Sequence, residues 1–176
     1  MGRKSKDPQP PAEGYGWDQF APLYDEHHER LFRVGMLLCH GNRAAAEDAV
    51  AETFIKVHKA WSEGGIENFF GYARQTLVNH VLGQYRRDQV ANKYLGTQAG
   101  DLRGELHTED AVVDGQTTFV LLEQLPPRQR AAIVLRFYED LTYEQIAQSL
   151  DVTVGTVKAQ VSTGLQRLRT LMEAAQ

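Results

Sequence analysis

The chain has 176 residues, of which 42% are hydrophobic and 24% charged, and its formal net charge at pH 7 is −4. This balance is typical of a soluble globular protein, and no apolar run approaches the ~20 residues that a membrane-spanning helix needs. Because Cys39 is the single cysteine, an intrachain disulfide is excluded and a reducing, cytoplasmic location is expected. The net charge argues mildly against a nucleic-acid partner, but two basic islands at residues 71–94 and 154–176 flank an acidic strip at residues 95–121.

The first half of the chain predicts a bundle of three helices behind a disordered tail. Residues 1–16 hold prolines and glycines with mixed charge and are predicted to be disordered. Apolar residues at helical spacing begin near Trp17, stop at residues 40–43, and resume over residues 44–61 and 68–87. In the second of these helices three acidic residues lie beside the apolar stripe: Glu47, Asp48 and Glu52.

Between residues 93 and 117 the helical periodicity fades, and glycines and acidic residues dominate. At about 25 residues, this segment is too long for a loop inside one compact domain. It is therefore predicted to be a flexible linker between one domain at residues 17–92 and another at residues 118–173. Since neither domain shows strand-like alternation, the predicted fold class is all-α.

Residues 142–164 have the pattern of a helix-turn-helix. Thr142 and Gln145 form a capping-box pattern at the start of the first helix, and Thr153 is placed to cap the second. Asp151 falls at the turn, where a positive φ is commonly needed and Asp is tolerated better than most residues. The pattern predicts two closely crossing helices, the second of which leaves a polar face exposed.

That exposed face carries small and polar side chains and no acidic residue. A helix that enters the DNA major groove needs such a face, because nothing on it repels phosphate and short side chains reach base edges. Lys158 and Gln160 are predicted to read bases, while Thr142, Thr156 and Arg167 suit phosphates. An amphipathic hairpin with a solvated polar face is the alternative interpretation.

Three segments resemble the extracytoplasmic-function group of sigma-70 RNA polymerase sigma factors. The segment that begins LPPRQRAAIVLRFYEDLTYEQIA at Leu125 is similar to their region 4, and AAAEDAVAETFIKVHKAW at residues 44–61 is similar to their region 2. GYARQTLVNHVLGQYRR at residues 71–87 resembles the part of region 2 that reads the −10 promoter element. The resemblance covers roughly residues 17–172 and implies a region 2 helical bundle and a region 4 helix-turn-helix, joined by the acidic flexible linker.

The resemblance also implies partners and contact residues. Core RNA polymerase would meet the chain through the clamp helices of its largest subunit and the flap of its second subunit. The linker would thread the active-site cleft and RNA exit channel, whereas its composition alone favours an ordinary acidic tether. The residues implied for the clamp helices are Glu47, Asp48 and Glu52. Those implied at the −35 element are Thr142, Thr156, Lys158, Gln160, Ser162, Thr163 and Arg167. Those implied at the −10 element are Phe69, Phe70, Arg74, Asn79, His80, Arg86 and Arg87, with Asn79 near a flipped base.

The implied function is promoter recognition and DNA melting, without enzymatic activity, cofactor, metal, small-molecule substrate or membrane association. Since many relatives are inhibited by an anti-sigma factor, such a protein is a further candidate partner. The chain departs from the family pattern at four positions: Asp151 replaces the usual glycine of the turn, Gln160 and Thr163 stand where arginine is frequent, and Ala51 stands where glutamine is frequent. These departures imply weaker binding to phosphate, and they leave the base sequence of the −35 element undetermined.

Two other functions are compatible with parts of the sequence. A stand-alone helix-turn-helix regulator would bind duplex DNA without polymerase, usually as a dimer on paired half-sites. A helical enzyme or metal protein would have to be built around His27, His28 and Cys39. Adjacent histidines on a helix point about 100° apart and do not chelate one ion together, and the sequence shows no convergent site for catalysis.

Overall fold

The computed structural model describes residues 16–95 and 113–174, and within these ranges it contains only α-helical elements joined by short turns. Residues 1–15 and 96–112, which hold most of the predicted tail and linker, lie outside the described residues. The helices are α1 (Trp17–Leu38), α2 (Arg43–Ser62), α3 (Phe69–Leu95), α4 (Val113–Glu123), α5 (Pro127–Ile133) with a π-helical continuation (Val134–Tyr138), α6 (Tyr143–Leu150) and α7 (Val154–Ala174). The predicted all-α fold class is confirmed.

The helices on either side of the predicted linker are longer than the periodicity indicated. Helix α3 continues beyond Arg87 to Leu95, and α4 begins at Val113, before the predicted start of the second domain at residue 118. Both helices therefore enter the segment at residues 93–117. The α3 extension at residues 88–95 has no continuous apolar stripe, so amphipathic spacing gives no signal for it. It contains no glycine or proline, and Gln89, Ala91, Lys93 and Leu95 are good helix formers that favour its continuation.

The break between α1 and α2 is made by left-handed backbone and a side-chain cap. His40 and Gly41 have φ angles of 44° and 85°, which end α1. Asn42 then accepts a hydrogen bond from the backbone N–H of Ala45 through Oδ1 at 3.0 Å. This confirms the predicted break at residues 40–43.

The predicted ends of the helix-turn-helix are confirmed as well. The Thr142 hydroxyl accepts from the Gln145 N–H at 3.2 Å, and the Thr142 N–H donates to Gln145 Oε1 at 2.8 Å. Asp151 adopts the left-handed conformation with φ 51°. Thr153 Oγ1 accepts from the Thr156 N–H at 3.1 Å and so caps α7.

The buried apolar side chains of the two halves belong to one core cluster. Close helix crossings are made possible by glycine: a Cβ on Gly35 of α1 would lie 3.4 Å from Val50 Cγ2 on α2. A Cβ on Gly164 of α7 would lie 2.6 Å from Ile133 Cδ1 on α5, which is closer than carbon atoms approach without displacement. Fully buried side chains include Leu31, Val34, Leu77 and Val78 in the first half and Leu125, Leu135, Ile146 and Val157 in the second.

The two halves are packed against each other, and Arg130 of α5 crosses the boundary between them. Its side chain is 3% exposed. Nη1 donates to the Leu38 carbonyl at the end of α1 and to the Tyr85 hydroxyl on α3, both at 2.8 Å. Nε and Nη2 donate to the carbonyls of Leu122 and Leu125 at 2.9 and 3.0 Å. The domains that the sequence predicts as tethered units therefore form a closed arrangement in this structure.

Candidate nucleic-acid and polymerase interfaces

Helix α7 presents the polar face that the sequence predicted for DNA. Lys158, Ser162, Thr163 and Arg167 are all exposed along it. Lys158 Nζ lies 5.8 Å from the centre of the ring of Tyr143, the first residue of α6, so its charge lies beside the start of that helix. The face is open to a duplex from outside the chain.

Three other residues predicted at the −35 element are partly engaged within the protein. The Thr142 hydroxyl caps α6, and the Thr156 hydroxyl lies 2.9 Å from Thr153 Oγ1. Gln160 is partly buried in a crevice where it faces Leu82 and Arg86 of α3. Its Oε1 is buried and has no hydrogen-bond partner among the described residues. In the closed arrangement Gln160 therefore faces α3 instead of an open groove, while its role on DNA stays a prediction.

The residues predicted at the −10 element are divided between two faces of α3. Asn79 and Arg86 are exposed, and Arg86 lines the crevice that also contains Gln160. One turn before Asn79, Gln75 Nε2 donates to the Gln148 carbonyl of α6 at 3.4 Å. The second domain, through α6, thus covers the part of α3 next to Asn79.

His80 and Arg87 lie on the other face, toward α2. His80 Nδ1 is 3.3 Å from Lys56 Nζ, and both His80 and Arg87 line a polar depression with Glu52. Burial and the nearby Lys56 ammonium lower the pKa of His80 below its usual range, so its ring is neutral near pH 7. The resemblance implied both His80 and Asn79 at the −10 element, but neighbouring residues on a helix point about 100° apart.

The two phenylalanines predicted to supply stacking rings are both engaged within the first domain. The Phe69 ring lies 5.6 Å from the Phe20 ring and stacks on His27 at 5.5 Å. The Phe70 ring lies beneath the Arg30 guanidinium, 4.2 Å from its carbon Cζ. The structure shows partners for both, so neither ring is free to stack on a base in this arrangement.

Arg74, which was predicted to hold a promoter phosphate, makes an ion pair within the chain. Its Nη1 donates to Glu139 Oε2 at 2.7 Å, and Arg30 Nη2 donates to the same oxygen at 3.1 Å. The Glu139 side chain is 1% exposed. Sequence reasoning missed Arg30 and Glu139, because no local spacing links residues so far apart in the chain.

The acidic face predicted to bind polymerase is exposed along α2. Glu47, Asp48 and Glu52 all lie on it, and Glu47 pairs with Arg43 one turn earlier at 2.8 Å. Ile55, on the same side of the helix, is 64% exposed. An exposed isoleucine beside carboxylates fits a protein surface that is basic and partly apolar.

The histidines and the cysteine considered for metal binding have packing roles. His27 stacks on Phe69, and His28 lies 6.0 Å from the Phe54 ring in stacked geometry. Cys39 is buried, and burial raises the pKa of its thiol to about 11, so the thiol is protonated at neutral pH. Among the described residues, no three His, Cys, Asp or Glu side chains are grouped to hold a metal ion. In the same part of the chain, no helix is long and apolar enough to cross a membrane.

Comparison with known proteins places this geometry in one family. The sigma-70 region 2 model matches residues 23–91, and the sigma-70 region 4 model matches residues 121–170. The chain is 33% identical to the extracytoplasmic-function sigma factor SigE of Mycolicibacterium smegmatis over 159 residues, which is 87% of this chain and 60% of SigE. It thus spans less than two thirds of that relative. It is 26% identical to SigW of Bacillus subtilis over 86% of this chain and 88% of SigW.

Solved structures show the same fold. The sigma factor RpoE of Bartonella quintana, in a complex with the anti-sigma factor NepR, has a TM-score of 0.70 at 24% identity, covering 90% of this chain and 99% of RpoE. CnrH, in a complex with the cytosolic domain of CnrY, has a TM-score of 0.63 at 17% identity, covering 92% of each chain. Since both regions are matched in the order that the sequence predicted, the chain belongs to the sigma-70 family of RNA polymerase sigma factors, within the extracytoplasmic-function group.

Proposed function

We propose that this chain binds core RNA polymerase, reads the −35 promoter element with α7, and reads the −10 element with α3 during DNA melting. The observation that carries the proposal is the presence, in one chain, of two surfaces that suit different partners. The face of α7 around Lys158 is exposed and free of acidic residues, whereas the α2 face around Glu52 is acidic and includes the exposed Ile55. The first suits DNA and the second suits a basic protein partner.

The closed arrangement implies that the domains separate before both promoter elements are read. Gln160 of α7 and Arg86 of α3 line the same crevice, so these two predicted DNA-contact residues lie close together in the closed arrangement. The −10 and −35 elements lie apart on the promoter, so the two domains cannot engage both elements while these residues share one crevice. We infer that binding to polymerase holds the domains apart, and that the binding free energy offsets the cost of breaking the hydrogen bonds and ion pairs between the domains.

The proposed partners are core polymerase and promoter DNA, with an anti-sigma factor as a further candidate. The chain is proposed to act without enzymatic chemistry, since base flipping is offset by stacking and hydrogen bonds and needs no hydrolysis. Its proposed location is the cytoplasm, where RNA polymerase works. The stand-alone regulator remains a second outcome for the test, because the exposed face of α7 would also suit duplex DNA alone.

The test is transcription in vitro with purified bacterial core polymerase on the DNA upstream of the chain's own gene. A discrete transcript that requires this protein is expected. A shifted duplex without polymerase, together with no transcript, would instead support the stand-alone regulator. Binding to core polymerase is measured in parallel, so that failure to recruit is distinguished from failure to read the promoter.

Replacing Lys158 with alanine is expected to reduce that transcript about tenfold, because a base contact contributes about 1–3 kcal/mol. Affinity for core polymerase should stay unchanged, since Lys158 lies on α7 and the acidic face lies on α2. The measurement compares transcript yield with a polymerase-binding titration. A parallel decrease in both quantities would show that the variant damages the domain instead of a base contact.

A further inference from the structure

Two guanidinium groups from separate helices of the first domain converge on a single anion. Arg30 of α1 and Arg74 of α3 both lie over the Phe70 ring, with Cζ atoms 4.2 and 5.4 Å from its centre. Arg30 donates to both Glu139 oxygens, at 3.3 Å from Nε and 3.1 Å from Nη2, and Arg74 Nη1 donates to Oε2 at 2.7 Å. Both cations and the ring beside them belong to the first domain, so that domain alone supplies the positive side of the site.

The anion in this site comes from the other domain. Glu139 follows the π-helical turn after α5, and its side chain is 1% exposed between the two arginines. One carboxylate faces two guanidinium charges, and Arg74 Nε is buried with no hydrogen-bond partner among the described residues. The first domain therefore offers more positive charge and more donors than Glu139 uses.

Carboxylate and phosphate are the two anions that the planar guanidinium fork fits best. When the domains separate, Glu139 leaves with the second domain, and both arginines remain on the first. Arg74 is 14% exposed and Arg30 is 56% exposed, and without the carboxylate the two guanidinium charges face each other unpaired. An open chain therefore has a vacant site of high positive potential next to the −10-reading helix. A phosphate of the DNA backbone has the charge and the acceptor oxygens to fill it.

We propose that Arg30 and Arg74 form a binding site for a backbone phosphate of the single-stranded −10 DNA, and that Glu139 occupies the same site in the closed chain. The proposal rests on the proposed function and adds Arg30, which no sequence signal assigned to DNA. Carboxylate and phosphate then compete for one pair of cations. Closing of the domains excludes DNA, and DNA bound at the site opposes closing.

The first experiment measures binding of a fluorescein-labelled single-stranded oligothymidylate to the full chain by fluorescence anisotropy. Glu139→Gln removes the competing charge and is expected to tighten binding about tenfold, as when a minor binding-competent state becomes the major one. Asp140→Asn is the matched control, because it removes the same charge from the neighbouring residue. The Asp140 side chain is 97% exposed and lies 3.5 Å from Arg136, so its replacement should change affinity less than about twofold.

The second experiment assigns the gain to Arg30. In the Glu139→Gln background, Arg30→Gln should abolish the tighter binding and lower the slope of log affinity against log salt by about 0.7, the value for one phosphate contact on a single strand. Arg33→Gln is the control on the same helix, since Arg33 is an exposed arginine paired with Glu29. Equal decreases for the two arginine variants would overturn the site and leave only a general electrostatic effect.

Two further measurements keep the outcome decisive. Circular dichroism checks that each variant is folded. If Glu139→Gln does not fold, Glu139→Asp replaces it, because the shorter side chain keeps the charge but withdraws it from the arginines. The same increase in DNA affinity is then expected. Transcription with core polymerase separates this proposal from the proposed function. If the wild-type chain directs transcription but Arg30→Gln leaves DNA affinity unchanged, the phosphate site alone is overturned. If the wild-type chain directs no transcription but the variants show the expected changes in DNA affinity, the proposed function alone is overturned.

Discussion

Replacing Arg130 with methionine is expected to destabilise the chain by about 3–5 kcal/mol, which is a large fraction of the stability of a small protein. Methionine has a similar length but no donors, so it leaves the carbonyls of Leu38, Leu122 and Leu125 without the partner they have at 2.8–3.0 Å. A buried acceptor that loses its partner costs about 1–3 kcal/mol. The Tyr85 hydroxyl loses the same partner.

The measurement is urea unfolding followed by circular dichroism, with Arg128→Met as the matched control. Arg128 has the same charge and lies on the same helix but is exposed, so its replacement should change the free energy of unfolding by less than about 0.5 kcal/mol. Similar effects of the two substitutions would show that Arg130 contributes only as surface charge. Because Arg130 joins α1, α3 and α5, its replacement should also make the two domains unfold less cooperatively.

The Tyr85 hydroxyl keeps its hydrogen bond from Arg130 over a wide pH range. Burial raises the pKa of Tyr85 above its usual range, and this effect is larger than the opposing influence of the Arg130 guanidinium. The hydroxyl therefore stays protonated well above neutral pH and accepts from Arg130 throughout. Stability between pH 6 and 9 should not depend on the ionisation of this pair.

The helices and their ends could be predicted from the sequence because the signals that define them are local. Apolar residues three and four apart place α1, α2 and α7, and the cap formed by Thr142 and Gln145 depends on residues three apart. Asp151 tolerates the left-handed turn for a reason within its own side chain. The sigma-factor resemblance then supplied the order of the domains, which the family models confirm.

The contacts between the domains could not be predicted in this way. Glu139 meets Arg74 and Arg30 across 65 and 109 residues, and neither separation leaves a period in the sequence. A charged residue on a helix has the same appearance in the sequence whether it meets solvent, DNA or another domain. Arg74 was therefore assigned to the −10 element with no sign of its partner Glu139, and Gln160 was assigned to bases although it lines a crevice with α3 here.

The DNA-contact residues themselves remain predictions, and Asn79 is the one with the largest expected effect. Asn79→Ala should reduce transcription roughly 100-fold. A bidentate amide contact to a base contributes about 1–3 kcal/mol, and the contact also offsets part of the few kcal/mol that base flipping costs. Asn79 is exposed on α3 and is not part of the apolar core, so the variant should fold and bind core polymerase as the wild type does.

Gln84→Ala is the matched control for Asn79→Ala. Gln84 is an exposed amide on the same helix, but it lies roughly 140° farther round the axis, with Nε2 3.4 Å from His80 Nε2. Transcription by this variant should stay within about twofold of the wild type. A pre-melted promoter refines the test, because it removes the cost of unpairing and should restore part of the activity that Asn79→Ala loses. If both amide variants lose activity to the same extent, or if Asn79→Ala loses affinity for polymerase, Asn79 does not act by reading a flipped base.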